Sequence, residues 1–174
     1  MTDKDSGAEG IVQKVQDVAG GLLGRAGAAM TTSARGFVDN AAISDLYEIA
    51  SGELALTRAR SEQVRSMARM MVDDHQASSQ KMRGIIGRDP DLLPPSELDA
   101  RRQTMMQHLM DATDDFDSTY VDQQVLAHQE AVTLMHSYRD HGSDEALRQF
   151  ATETAPVIER HLEHVKQLQS SLNA

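Results

Sequence analysis

A histidine on the apolar face of a long helical pattern is the feature of this sequence that most constrains its fold. Val64, Met67, Met71, His75 and Met82 recur at helical spacing. Such a stripe is typical of a helix that buries one face in a bundle, and His75 takes a place where that helix would bury a core residue. The sequence therefore predicts a helical bundle whose interior contains a polar group.

Composition narrows the classes of protein that need to be considered. The 174 residues suffice for one domain with a sizeable core. The 17 Lys and Arg against 27 Asp and Glu give a net charge of −10, which argues against a role that depends on contacts with nucleic-acid backbone. The chain has no cysteine, so disulfides, thiolate chemistry and cysteine-based zinc sites are excluded.

The sequence shows neither a membrane span nor an export signal. No window contains the roughly 18 consecutive apolar residues that a transmembrane helix needs. The first residues, Met-Thr-Asp-Lys-Asp, lack the basic and apolar regions of a secretory signal. A cytoplasmic protein is expected.

Helical periodicity and breaker residues predict four long helices and one short helix. Three prolines in residues 88–95 prevent a helix there, and this section could carry the chain from one end of the bundle to the other. Pro156 is expected to kink the last helix without ending it. The predicted helices cover about 33–60, 62–87 (with Ser61 as N-cap), 96–111, 113–141 and 143–170.

Residues 1–32 are predicted to form a flexible, amphipathic N-terminal arm, and residues 33–174 the bundle domain. Ile11, Val15, Val18 and Leu22 form an apolar stripe, which nearby glycines weaken as a helix. The segment Ile11–Leu23 could dock on its own bundle, make a homo-oligomer contact or lie on a membrane surface. With only two cations in this segment and just after it, the membrane reading is the weaker one.

Each long helix carries one ligand-capable residue on its apolar stripe: Glu48, His75, His128 and His161. Glu48 and His75 are equidistant from the break near residue 61, and His128 and His161 are equidistant from the break near residue 144. In an antiparallel hairpin, residues equidistant from the turn lie at the same height, because both helices rise about 1.5 Å per residue. Each hairpin therefore places its pair at one height, and the sequence predicts one interior layer of polar groups if the crossover aligns the two hairpins.

A carboxylate and three imidazoles buried in an apolar bundle must be satisfied by some partner. A divalent transition metal such as zinc, iron or manganese suits these ligands. Asp74, Asp117 and Gln124, together with Asp45, are candidates for further ligands or for hydrogen bonds that orient the ligands. The competing interpretation is a structural or interaction module whose buried polar layer only fixes helix register. The other histidines, including His108, do not converge on this layer.

Several sequence blocks resemble the bacterial Domain of Unknown Function 4142 family over about residues 36–170. The blocks are Met71-Val72-Asp73-Asp74-His75, Phe116-Asp117-x-x-Tyr120, Gln124-x-x-x-His128-Gln129-Glu130-Ala131 and Pro156-x-x-x-x-His161-Leu162, with Tyr47-Glu48 in the first helix. The resemblance implies a ferritin-like four-helix bundle with a long crossover that carries a short extra helix. It also leaves the periplasm or envelope open as a location, since members are often labelled as exported, and it implies no activity.

Ferritin-like di-iron proteins carry Glu-x-x-His on two helices, and this chain departs from that pattern. Val72 and Ile158 stand three residues before His75 and His161, where the carboxylates would be. The resemblance therefore implies a single-metal Glu/His site, or a degenerate site without metal, and no catalytic residue is assigned. The identity of the metal, a substrate and an envelope or stress role all stay open.

Overall fold

A computed structural model describes residues 3–173 of the chain, and the side chains of residues 10–173. All regular secondary structure in this part is helical, and the strands of a β-sheet are absent from it. A 3-10 turn, Pro90–Leu92, lies between α3 and α4. The α-helices are α1 (Asp3–Ala29), α2 (Ala34–Arg58), α3 (Glu62–Ile86), α4 (Ala100–Asp111), α5 (Phe116–His141) and α6 (Glu145–Leu172).

Side-chain caps fix where most of these helices begin. Ser61 accepts a hydrogen bond from the Val64 amide, so its predicted role as the N-cap of α3 is confirmed. The short helix α4 begins later than predicted, because Asp99 accepts from the Arg102 amide and also binds the Arg102 guanidinium. The last helix continues through Pro156, as predicted.

The helices α2, α3, α5 and α6 pack around a shared interior, α2 against α3 and α5, and α6 against α3 and α5. One apolar cluster contains the late residues of α3 and α5, including Met82 and Leu134. A second contains their early residues, including Met67 and Phe116. The two helices therefore run parallel, and the link that carries α4 travels the length of the bundle. Between the two clusters lies the layer that contains His75.

Glycine allows α2 and α3 to approach closely at this height. A Cβ on Gly52 would lie 2.7 Å from Val72 Cγ2 and 3.2 Å from the carbonyl oxygen of Ala68. Because a backbone atom cannot move aside cheaply, the position excludes a larger residue. Gly52 therefore permits the close approach of α2 and α3.

The N-terminal arm differs from expectation in orientation. α1 is helical from Asp3 onward and packs along α5. Its apolar stripe also faces away from the bundle: Val15 is 63% exposed and Leu22 60%. The inward face consists of small and polar residues instead: Gly10, Gln13, Asp17, Gly20, Gly21, Gly24 and Ala28.

No helix within residues 3–173 combines the length and the apolar character needed to cross a membrane.

Candidate metal centre

Three of the predicted residues, His75, His128 and His161, meet in the interior as one histidine cluster. All are buried, and their ring centroids lie 5.6 to 6.0 Å apart. One nitrogen from each ring lies within 4.8 Å of the other two. The rings come from α3, α5 and α6, at the heights that the equidistance argument predicts.

Each ring of the histidine cluster is oriented through one of its nitrogens. His75 Nδ1 lies 2.7 Å from Asp45 Oδ1, His128 Nδ1 lies 2.9 Å from the Gln124 carbonyl oxygen, and His161 Nε2 lies 2.9 Å from Asp74 Oδ2. Carboxylate and carbonyl oxygens only accept, so each imidazole donates here and, when neutral, keeps a lone pair on its other nitrogen. Bonds of this kind fix the tautomer and orientation of metal-binding histidines.

The remaining nitrogens are the ones without partners. Among the described side chains, His75 Nε2, His128 Nε2 and His161 Nδ1 are buried and make no hydrogen bond. Both Glu48 oxygens, Tyr120 Oη and Gln124 Oε1 are in the same condition. These six residues are called the open layer below. Buried polar atoms are nearly always paired, so this concentration in one layer calls for a ligand or ordered water.

Burial and mutual charge shift the pKa values of the open layer in opposite directions. Burial raises the pKa of Glu48 to about 7. Burial and then the neighbouring imidazoles His75 and His161 hold the pKa of His128 well below its ordinary value, and burial also lowers that of His161. Burial alone would lower the pKa of His75, but its hydrogen bond to Asp45 and the nearby Glu48 carboxylate raise it. Burial thus favours the neutral forms of the Glu48 carboxyl group and of the His128 and His161 imidazoles.

Glu48 lies beside the histidine cluster without belonging to it. Its side chain is 1% exposed, and Oε1 is 3.7 Å from His128 Nδ1, the nitrogen that is already bonded to Gln124. Gln124 takes part mainly through its backbone, while its side-chain amide donates to Ser51 Oγ at 3.3 Å.

Asp117 has a different place from the one expected for a supporting residue. It accepts hydrogen bonds from the backbone amides of Arg60 and Ser61, at the turn between α2 and α3. Eleven residues separate it from His128 on α5, which corresponds to about 16 Å along a helix. Asp117 therefore stabilises the end of the bundle and not its polar layer.

A cleft between α3 and α6 connects the histidine cluster with the surface. It has a volume of about 220 Å³, and its lining includes His75, His161, Asp74 and Glu153. Lys81 also lines it and binds Glu153 at 2.5 Å, so an ion pair spans the two helices there. Carboxylates along such a passage attract cations.

The separations of the ring nitrogens, one from each histidine, can be compared with zinc–nitrogen bond lengths. If all three separations equalled 4.8 Å, the centre of the triangle would lie about 2.8 Å from each nitrogen, so zinc–nitrogen bonds of about 2.1 Å require inward movements below about 1 Å. Three neutral imidazoles with one open position form a ligand set that zinc accepts. The residues present therefore fit a divalent transition metal.

A second buried polar group, which the sequence did not reveal, lies where α1 meets the bundle. Asp17 accepts from His108 Nδ1 at 2.9 Å and from Gln123 Nε2 at 2.8 Å, and Tyr47 Oη donates to Gln123 Oε1 at 2.8 Å. These four residues are called the Asp17 network below. Among the described residues, the buried atoms without partners include none from this network. The signal for it was the stripe of glycines in register with Asp17.

Two pairs of consecutive residues are divided between the Asp17 network and the open layer. Tyr47 belongs to the Asp17 network and Glu48 to the open layer, and Gln123 and Gln124 divide in the same way.

One comparison with known proteins gives a result. The family model described as "Domain of unknown function (DUF4142)" matches residues 23–168, which excludes most of α1. No curated protein and no solved structure matches the chain.

Proposed function

The chain belongs to the DUF4142 family, whose description assigns no activity, and we propose that this member is a ferritin-like four-helix bundle that binds one divalent transition metal. His75, His128 and His161 are the proposed ligands. Glu48 is the proposed fourth ligand or the acceptor for a metal-bound water. The bundle domain would comprise residues 33–174, with residues 1–32 as an appended arm.

One observation carries this proposal: each of the three rings has a nitrogen within 4.8 Å of a nitrogen on both other rings, and each ring also has one buried nitrogen without a hydrogen bond while its opposite nitrogen is bound to an acceptor. If the polar layer served packing alone, we would expect both nitrogens of each imidazole ring to be hydrogen-bonded, or the three rings to be kept apart. A metal ion accepts three lone pairs at once.

Charge and access support the same proposal. A divalent ion would be partly neutralised by the Glu48 carboxylate, whose oxygens are otherwise unpartnered. The cleft between α3 and α6 provides an entry path, which a buried metal site requires. Imidazole ligands favour zinc or another late divalent ion over magnesium and calcium.

The test is metal binding by the full chain, purified without a histidine tag and stripped with a chelator. We expect about one equivalent of Zn²⁺, or of Fe²⁺ or Mn²⁺, with a rise in thermal stability of about 2.7 kcal/mol at a free metal concentration 100 times Kd. The variant His128→Leu should lose both effects. His136→Gln, which removes an exposed histidine bound to Glu159, should keep both.

The alternative is a module without metal, whose polar layer fixes the register of the helices. The hydrogen bond that each histidine already makes favours this reading. It predicts less than about 0.1 equivalent of bound metal after reconstitution and no metal-dependent change in the melting temperature, and these results would exclude the metal site.

A further inference from the structure

The exposed apolar stripe of α1 is the largest feature that the metal site leaves unexplained. Ile11, Val15, Val18 and Leu22 follow one another at steps of four, three and four residues, and all are at least 46% exposed. Val12 and Leu23 extend the patch and are 55% and 75% exposed. Contiguous exposed apolar patches of this kind mark interaction sites.

The bundle of the same chain cannot cover this stripe. Asp17 and the inward glycines hold α1 on α5 and α4, through bonds to His108 and Gln123 and through the contact of Gly21 with Leu126. Turning the helix to bury the stripe would pull Asp17 out of its network, leaving His108 Nδ1 without its acceptor and Gln123 Nε2 with only the Met105 carbonyl oxygen. The stripe is therefore directed toward a partner outside the chain.

We propose that the partner is a second copy of this chain, and that the two α1 helices pair through their stripes. Steps of four and three residues match the core positions of a coiled coil, where side chains of one helix fit between those of another. If the pair is antiparallel and centred between residues 16 and 17, Ile11 faces the partner's Leu22 and Val15 faces the partner's Val18. The patch is then complementary to itself, as a two-fold dimer requires.

The charges around α1 favour a protein partner over a lipid surface. The chain carries a net charge of −10, which opposes binding to anionic headgroups. Among the described side chains of α1, both cations are already engaged: Lys14 binds Asp122 at 2.5 Å, and Arg25 donates to Gln129 at 3.4 Å. A helix that lies on a membrane normally presents free lysines and arginines beside its apolar face.

The length of the stripe sets the expected strength of the dimer. From Ile11 to Leu22 the contact extends about 17 Å. This is a small interface, so association is expected at micromolar and not at nanomolar concentration. Because two acidic chains repel each other, added salt should strengthen the dimer.

The experiment measures the mass of the full, untagged chain by light scattering and sedimentation from about 1 to 100 µM. We expect the mass to rise with concentration from 19.1 kDa toward twice that value, and to rise further with salt. The double substitution Val15→Asp with Leu22→Asp should weaken association at least about tenfold. Circular dichroism should show unchanged helicity, because both side chains face outward. The control Leu93→Asp changes a leucine that is 55% exposed outside α1 and should leave the dimer intact.

Three results would overturn the proposal. The chain could stay monomeric over the whole range, or the double variant could dimerise as well as the wild type. The third is binding of a monomeric chain to vesicles of phosphatidylcholine, or of phosphatidylcholine with phosphatidylserine, which would assign the stripe to a membrane surface instead.

Discussion

The open layer and the Asp17 network are both buried polar groups in a helical bundle, yet they differ in how their atoms are paired. In the Asp17 network, donors and acceptors match, and each bond joins two elements of the fold. In the open layer, one nitrogen of each ring is bonded, the other has no partner, and the three rings each bring a nitrogen within 4.8 Å of the others. The comparison suggests a rule for this chain: paired polar groups hold helices together, and unpaired ones that converge await a ligand.

Substitutions at the centre of each group should give the largest difference in stability between the Asp17 network and the open layer. Asp17→Ala leaves His108 Nδ1 buried without its acceptor and Gln123 Nε2 with only the Met105 carbonyl oxygen, so docking of α1 should weaken by about 3 kcal/mol. In metal-free protein, His128→Leu replaces an imidazole that lacks one partner with an apolar group, so stability should change by less than about 1 kcal/mol or increase. Hydrogen exchange of the α1 amides and urea unfolding would measure the two effects.

The neighbouring substitution Gln16→Ala, on the exposed side of α1, is the control for Asp17. Equal exchange rates in the Asp17 and Gln16 variants would mean that the Asp17 network does not hold the arm.

The next largest expected effect is the pH dependence of the free energy of unfolding of the metal-free protein, which should reflect the open layer through Glu48. Burial raises the pKa of Glu48 from 4.5 to about 7. Between these values the folded chain keeps a proton that the unfolded chain has lost, so the contribution of Glu48 lowers the free energy of unfolding as pH rises from about 4.5 to 7. At about 1.4 kcal/mol per pKa unit, the whole effect is about 3 kcal/mol at most.

Urea unfolding of wild type and of Glu48→Gln at a series of pH values tests this expectation. The difference between the two proteins should change across that interval, while Glu53→Gln on the exposed side of α2 should follow the wild type. A constant difference between wild type and Glu48→Gln would contradict a buried carboxyl group that titrates there.

The acceptors that orient the histidine cluster should affect metal affinity in proportion to their burial. Asp45 is buried, so Asp45→Asn should lower affinity by about 10- to 100-fold through His75. The side chain of Asp74 is 47% exposed, so Asp74→Asn, which acts through His161, should lower it by less than about fivefold. Isothermal titration with Zn²⁺ measures both, and the reverse order would show that burial does not govern the orienting bonds.

The smallest effect concerns how closely α1 approaches the bundle. A Cβ on Gly24 would collide with the Glu130 carboxylate, which Arg101 and Arg102 hold in place. Gly24→Ala should therefore weaken docking of α1 by about 1 kcal/mol. At Gly27 a Cβ would meet nothing within 4 Å, so Gly27→Ala should stabilise the helix by up to about 1 kcal/mol. Thermal unfolding and α1 exchange should move in opposite directions for the two variants.

The long helices and the height of the polar layer could be predicted because both depend on local periodicity. The spacing of apolar residues identified α2, α3, α5 and α6, and counting from the turn between α5 and α6 placed His128 and His161 at one height. The precise partners could not be predicted in this way. Whether Asp45 or Asp117 binds a histidine depends on the direction and height of the side chain. Asp117 lies seven residues, about two helical turns, before Gln124, so it is on a similar face of α5 but at the level of the turn between α2 and α3.

The orientation of α1 could not be predicted from hydrophobicity, because the arm reverses the usual rule. An apolar stripe normally faces inward, but glycines permit a closer approach on the opposite face, and Asp17 finds two buried donors there. Sequence reasoning had assigned His108 no partner because that partner lies 91 positions away on a helix assumed to dock the other way.

The consecutive pairs Tyr47–Glu48 and Gln123–Gln124 link the Asp17 network to the open layer through the backbones of α2 and α5. Neighbouring residues on a helix are separated by about 100° of rotation, so a turn of α2 that brings Glu48 closer to an ion also swings the phenol of Tyr47 relative to Gln123. A rotation of α2 that accompanied metal binding in the open layer would therefore also move a residue of the Asp17 network, which holds α1.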